Sequence, residues 1–360
     1  MHNSGGMEHV LSVCATALCK EIDVSIMTIY QCGRPYFYPL DKDINTFDLG
    51  LKNVSNKRLL KQRLAEFLLH QKFDIVVSLG GIDMFYLHSI KDCSKKIVWF
   101  HFTYNVAYAL WLKGSHTLVT KAKGYLRHLK RIFYARQFDY VVVLSKADAD
   151  LWRRHTDKVS VIYNPVTLDN PMQSSLDKKS AISVGRLDYA KGYDYLIDAW
   201  KLVTQEHPDW SLNIYGEGEL RSQLQERIDK QQLSERVKLC GRTSSIGEKY
   251  AQHSMYVMSS RSEALGLVLL EASVCGLPLI AFDCPSGPRE IIQDGKNGYL
   301  VQQVGDIEEL AKAIDKLIEH SELRKQMGKK AFEMVEKSFS LEVIKQQWID
   351  LINHFDDTKN

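Results

Sequence analysis

The feature that most constrains this chain is a change of hydrophobic period that recurs along its length. Short apolar runs at Ile22–Ile29, Phe73–Leu79, Lys96–Phe100 and Asp139–Leu144 read as buried strands, and helical-period stretches at Met7–Lys20, Lys57–His70 and Lys121–Arg136 separate them. Strands that alternate with helices require a parallel sheet, because each return to the same edge needs a crossover. The pattern breaks after Val161–Pro165 in the polar stretch Asp169–Ser175. It restarts at Ala181–Val184 and continues through Ser211–Tyr215, Arg236–Cys240, Met255–Ser259 and Leu277–Phe282. The chain therefore reads as α/β, with two Rossmann-like domains, residues 1–168 and 169–339, facing across a cleft. A last segment, 340–360, carries a helix over Ser340–Phe355 expected to pack back across both domains.

The chain opens oddly. Gly5-Gly6 runs directly into the first helix, whereas in a doubly wound fold such a turn follows a strand. The expectation is a missing first strand, in a chain that is truncated or begins at an internal methionine.

Composition narrows the function classes. With 360 residues, 45% hydrophobic and 25% charged, the chain is that of a globular protein, and a net charge of +3 is too small for a general nucleic-acid binder. Seven cysteines without any CxxC pair argue against a disulfide framework and a structural zinc, which fits a reducing cytoplasm. No apolar run approaches the roughly 20 residues of a membrane span, and the N-terminus has no signal-peptide core.

The sharpest chemical signal is Glu263-Ala264-Leu265-Gly266-Leu267-Val268-Leu269-Leu270-Glu271, with seven residues between the glutamates at a strand–loop–helix junction. A helix N-terminus near Gly266 offers unpaired N–H groups and a positive dipole end, which suit a diphosphate. Glu263 on the loop can then reach sugar hydroxyls, and Glu271, one and a half turns into the helix, can accept both ribose hydroxyls. The plain alternative is two solvated helix glutamates.

Gly185-Arg186-Leu187-Asp188-Tyr189-Ala190-Lys191-Gly192 follows the first strand of the second domain, where Arg186 and Lys191 can neutralise a leaving diphosphate as a metal does elsewhere. Alternatively it is a solvated basic turn. Gly216-Glu217-Gly218 is a strand-to-helix turn that speaks for fold more than site. Arg242 ends a strand at the nucleotide-binding edge of such folds and borders base or diphosphate, unless it is a surface arginine. Cys284-Pro285-Ser286-Gly287-Pro288 enters another helix, as a cleft loop or a rigid turn. His101, after the strand Lys96–Phe100, points into the ligand crevice unless it is a structural histidine. Asp148-Ala149-Asp150 resembles a metal-binding DxD, but its place at a helix start is better explained by the dipole, and no metal or cofactor is expected.

One more segment stands apart. From Lys113 through Lys121, Lys123, Arg127, Lys130, Arg131 and Arg136 no acid occurs until Asp139, and Leu, Tyr, Ile and Phe are interleaved. The pattern suits a helix on anionic lipid or one gripping a lipid-phosphate acceptor, or else a solvated basic face.

Taken together, Gly5-Gly6-Met7-Glu8, His101, Asn164-Pro165, Gly185-Arg186…Lys191-Gly192, Gly216-Glu217-Gly218 and Glu263…Gly266…Glu271 resemble the GT4 family of glycosyltransferases over essentially the whole chain. The resemblance implies a GT-B fold and retaining, metal-independent transfer from a nucleotide sugar held by the C-terminal domain. It assigns Arg186, Lys191 and the backbone at Gly266, Leu267 and Val268 to the diphosphate, and Glu271 to the ribose. Glu263 falls to the donor sugar and His101 to the reaction centre, with Gly6 approaching the phosphates from the other domain. The acceptor is a glycan or lipid-linked molecule, with no nucleic acid involved and a cytoplasmic, peripherally membrane-bound location. Ala264-Leu265 departs from the family, where Gly or Pro and Phe are usual. The Asp283–Glu290 segment is similar to that of bacterial surface-polysaccharide enzymes using UDP-hexoses or UDP-N-acetylhexosamines. Rival readings are a GT-B nucleotide-sugar epimerase, a phosphorylase-like enzyme, which lacks a convincing pyridoxal-phosphate lysine here, and a non-catalytic sugar-binding subunit.

Overall fold

The computed structural model describes residues 1, 5–52, 56–105 and 118–357. The chain forms two compact units, Met1–Pro165 together with Leu341–Asn360, and Val166–Ser340.

The first unit contains α1 (Gly6–Leu18), β1 (Ser25–Thr28), β2 (Asn45–Asp48), α2 (Lys57–Gln71), β3 (Ile75–Ser78), α3 (Met84–Leu87), β4 (Lys95–Trp99), α4 (Leu118–Ala135), β5 (Tyr140–Val143), α5 (Lys146–Arg153) and β6 (Val159–Val161). Helix α2 shows how local chemistry sets these elements. The Asn56 side chain accepts from the Leu59 amide at its start, Leu60, Leu64 and Leu68 recur every fourth residue on the buried face, and Lys72 ends it at φ 56°. Each of those leucines contributes about 2 kcal/mol by leaving water. They join a core with Val98, Phe100 and Trp152, whose ring stacks on Phe100 at 4.9 Å.

Strands β3-β4-β5-β6 form one parallel sheet in that order, and β1 pairs with β2 in a separate parallel two-stranded sheet. Among the described residues no strand precedes α1.

The second unit carries β7 (Ser180–Val184), a 3₁₀ turn at Tyr189–Lys191, α6 (Tyr193–Glu206), β8 (Ser211–Tyr215), α7 (Arg221–Lys230), β9 (Val237–Gly241), α8 (Ile246–Ala251), β10 (Met255–Met258), α9 (Leu267–Val274), β11 (Leu279–Phe282), α10 (Pro288–Ile291), β12 (Gly298–Val301), α11 (Ile307–Glu319) and α12 (Ser321–Phe339). Its six strands make one parallel sheet in the order β12-β11-β10-β7-β8-β9. Both β10 and β11 are buried along their whole length, which is why they read as unbroken apolar runs. From β7 the chain winds outward to β9 and then crosses to β10 on the other side. The order therefore reverses between β7 and β10.

The boundary expected at 168/169 falls three residues earlier. Val166 donates to Phe339 O at 3.0 Å and the Leu168 side chain lies against Gly247, so the strip after Pro165 already belongs to the second unit. The final helix, α13 (Leu341–Asp357), returns to the first unit, where Trp348 meets Trp99 at 4.9 Å and Phe355 meets Tyr140 at 5.7 Å.

Candidate functional site

In an open parallel sheet, ligands sit beyond the carboxyl ends of the strands at the point where the strand order reverses. In the second unit that point is flanked by the loops after β7 and β10, which are the Gly185–Gly192 and Ser259–Gly266 segments. The two loops are fastened to each other. Gly192 adopts φ 63°, and a Cβ there would stand 2.1 Å from Ser259 O, so only glycine allows this approach. Ser259 Oγ donates to Lys191 O at 3.0 Å, and the Arg261 amide donates to Ala190 O at 2.7 Å.

Arg261 adds a second fastening. Its guanidinium lies 4.2 Å from the Tyr189 ring centre and 4.1 Å from that of Tyr195, donates to Tyr189 O, and reaches both oxygens of Asp194 at 2.9 and 2.6 Å. A planar cation between two rings with a bidentate carboxylate leaves the loop little freedom.

Held this way, Lys191 Nζ is in ion-pair contact with Glu263 Oε1, to which Ser260 Oγ also donates at 2.7 Å. The two side chains are only 19% and 12% exposed, whereas that of Arg186 is 79% exposed and only approaches Asp188, at 3.2 Å. Lys191 is thus a fixed cation and Arg186 a reaching one. The loop after β11 closes on the same place, since Glu263 bridges Ser286 in strand-like fashion and the Gly287 amide donates to Glu263 O at 3.2 Å.

Gly266, at φ 90°, caps α9, so the helix begins at Leu267 and Val268 with amides that have no partner within the helix. Five residues past the cap, half-buried Glu271 accepts from the Tyr250 hydroxyl at 2.9 Å. Loss of water around this carboxyl pushes its pKa up to about 7, and the tyrosine donor opposes the rise.

The structure thus brings Lys191 and Glu263 into contact, with Gly266, Leu267, Val268 and Glu271 on the loop and helix that follow Glu263 and Arg186 on the loop that carries Lys191. Arg242 is exposed just past the end of β9, the edge strand, two strands from β7. Gly6 is the first residue of α1, with Gly5 as its cap. His101 follows β4 in the first unit, buried beside Trp99 at 4.2 Å, and its Nε2 has no hydrogen-bond partner among the described residues. Burial lowers its pKa to about 3, so the ring stays neutral.

Asp148 lies in the first turn of α5, where Ser145 Oγ accepts its amide, and its carboxylate accepts from the Tyr104 amide; Asp150 faces solvent paired with Arg153. Of the basic stretch, Lys113 lies outside the described residues. Arg131 turns inward against the expectation of one outward face, 4.0 Å from the Phe100 ring centre and donating to Thr103 O and Tyr104 O.

Sequence reasoning missed Arg261, Asp194, Ser260 and Tyr250. A basic residue two places before Glu263, just past a strand, was a visible signal for Arg261. Nothing local marks Tyr250, whose link to Glu271 spans 21 residues.

A parallel α/β unit with a helix N-terminus and a lysine–glutamate pair at its switch point is an arrangement that can receive an anionic ligand. Residues 4–170 match the glycosyltransferase family 4 and residues 168–334 the glycosyl transferases group 1. An uncharacterized glycosyltransferase of Haemophilus influenzae is 29% identical, with 96% of each chain covered. The amylovoran biosynthesis glycosyltransferase AmsD of Erwinia amylovora is 30% identical, over 98% of this chain and 97% of its own. The chain belongs to this glycosyltransferase family. Its fold is similar to that of Anabaena Alr3699/HepE in complex with UDP and glucose, at a TM-score of 0.75 and 19% identity, covering 98% of this chain and 97% of that one. The GT-B architecture is the one observed.

Proposed function

We propose that this glycosyltransferase moves a hexose or N-acetylhexosamine from a UDP-linked donor to a glycan or lipid-linked acceptor in bacterial surface-polysaccharide biosynthesis, with retention and without a metal. The observation that carries the reading is the contact of Lys191 with Glu263 at the switch point, on the loop that leads into the α9 N-terminus and on to Glu271. The relatives' polysaccharide and UDP associations support the substrate class.

In this reading the α9 amides and Lys191 hold the diphosphate, and Arg186 swings onto it from solvent. Glu271 accepts the ribose hydroxyls and Glu263 the hydroxyls of the donor sugar. The bond between the anomeric carbon and the diphosphate oxygen breaks, the acceptor oxygen bonds to that carbon on the same face, and the acceptor proton passes to the departing diphosphate. Fixed cations and helix dipoles stabilise the negative charge that develops on the leaving group, a role that needs no metal. Neutral His101 serves the acceptor side without adding charge. The work is done in the cytoplasm, at the membrane surface where a lipid-linked acceptor resides.

Transfer from a UDP-sugar to a lipid-linked acceptor, followed with and without EDTA and with the product's anomeric configuration read by NMR, tests the proposal. Glu271→Ala and Arg186→Ala should each abolish transfer while the melting curve is kept. Unchanged turnover in either variant sinks the site assignment. Consumption of UDP-sugar in the absence of acceptor would favour an epimerase instead.

A further inference from the structure

Helix α4 carries an amphipathic surface turned the opposite way from an ordinary one. Its inward face packs through Gly124, His128, Arg131, Ile132 and Ala135, which are buried. Val119, Leu126, Leu129 and Phe133, on the outer side, are 61%, 64%, 42% and 61% exposed. At 3.6 residues per turn these four fall within an arc of about 80°. Twelve large hydrophobic side chains are exposed among the described residues, and five of them, these four and Tyr125, lie on this one helix. Scattered apolar residues are normal on a surface, but a contiguous stripe of them marks a place where something docks.

Charge says what. Lys123, Arg127 and Lys130 run along one flank of the stripe and Arg136 along the other, and residues 113–138 contain no acid. An apolar ridge between rows of cations suits a surface with an apolar interior and anionic headgroups. A second copy of this chain fits poorly, since a two-fold pairing through α4 would set these cations against themselves.

We infer that the outer face of α4 is a membrane-docking surface, with Leu126, Leu129 and Phe133 entering the headgroup boundary of an anionic lipid leaflet and the flanking lysines and arginines contacting lipid phosphates. This deepens the proposed function by naming the surface that would bring the enzyme to a lipid-linked acceptor, and it rests on that reading only for its purpose, not for its evidence. Helix α4 belongs to the first unit, the donor-binding loops to the second.

The experiment is flotation of the full-length protein with phosphatidylcholine vesicles, with and without phosphatidylglycerol, across a salt series. The expected result is binding to the anionic vesicles alone, weakened by salt. Leu126→Asp with Phe133→Asp should abolish it at every salt concentration. Lys123→Gln with Arg136→Gln should lower partitioning by roughly tenfold and flatten the salt dependence. All four positions are exposed, and unchanged melting curves and UDP-induced thermal shift will verify that the fold is kept. The inference is overturned if the wild type ignores anionic vesicles, or if the aspartate pair floats as well as the wild type. It is equally overturned if the aspartate pair instead dissolves a concentration-dependent dimer, which would give the face to a second copy. Vesicle binding without any transfer from UDP-sugars would leave the docking surface standing and remove the proposed reaction.

Discussion

At the positions that the sequence singles out, the two units place polar groups differently. In the second, every side chain assigned to the donor except the exposed Arg186 and Arg242 is locked to a neighbour: Lys191 to Glu263, Glu263 to Ser260, Glu271 to Tyr250, and the loop itself through Arg261 to Asp194. In the first, His101 Nε2, His128 Nδ1 and Arg131 Nη2 are buried without partners among the described residues, and α4 leaves an apolar stripe in solvent. On the proposed roles, the difference sets a preorganised donor side against a first unit in which three buried polar atoms have no partner among the described residues. A diphosphate is a constant ligand and rewards a rigid cradle; acceptors and surfaces vary.

The comparison breaks most readily at Lys191. Lys191→Ala should lower kcat/KM by about 10²–10³-fold, the cost of one preorganised contact to developing charge. A loss smaller than about tenfold would mean that the locked pair is structural only.

Arg261 comes next, read as a residue that positions the loops carrying Lys191 and Glu263. Arg261→Ala should cost about tenfold, mainly in kcat, because loosened loops misplace Lys191 and Glu263. Arg261→Lys keeps one charge but neither the ring stacking nor the bidentate pairing, and should recover only part of the loss. Equal kcat in the alanine variant and the wild type would remove the positioning role.

These effects show where reading a sequence stops. The alternation of strands and helices, the two domains, the loops carrying Lys191 and Glu263 and the helix carrying Glu271 were visible, because apolar period and glycine-marked turns are local properties. Strand β2, Asn45-Thr46-Phe47-Asp48, carries a polar pattern and is mostly exposed, so no run announces it. Strand β12, Gly298-Tyr299-Leu300-Val301, is an edge strand that opens on a glycine. The inward turn of Arg131 among outward cations depends on Phe100, 31 residues away, and no charge pattern contains it.

Two pH effects sharpen the contrast further, and their signs differ. Glu271 titrates near 7 in the fold against about 4.5 in an unfolded chain. The folded state therefore holds the extra proton between those values, and stability falls as pH rises through that window. Against Glu271→Gln, the wild type should lose on the order of 2 kcal/mol from pH 4.5 to 7, read from urea midpoints. His101 titrates near 3 against 6.5, so the unfolded chain takes up the proton first and stability falls as pH drops below 6.5. Relative to His101→Gln, that amounts to about 1 kcal/mol by pH 5.5. Parallel profiles for wild type and either variant would show that the residue in question is not held neutral by burial.

The contact between Lys191 and Glu263 also bears on how a ligand would enter. A site whose cation already has a counter-ion does not attract anions as a bare cation would. In the proposed reaction an arriving diphosphate competes with Glu263 for Lys191, and a carboxylate freed in this way, still accepting from Ser260 Oγ, would be available to the sugar. Inorganic phosphate, which brings no sugar for the freed carboxylate, should therefore be a weak competitor of UDP-sugar binding, and more so than in Glu263→Gln. On the proposed roles, once the sugar has gone to its acceptor Glu263 keeps only the Ser260 hydroxyl and stands again beside the lysine that would hold the spent nucleotide. Reclaiming that lysine would loosen the nucleotide, so on the proposed roles the glutamate that meets the sugar would also help to clear the site for the next turnover.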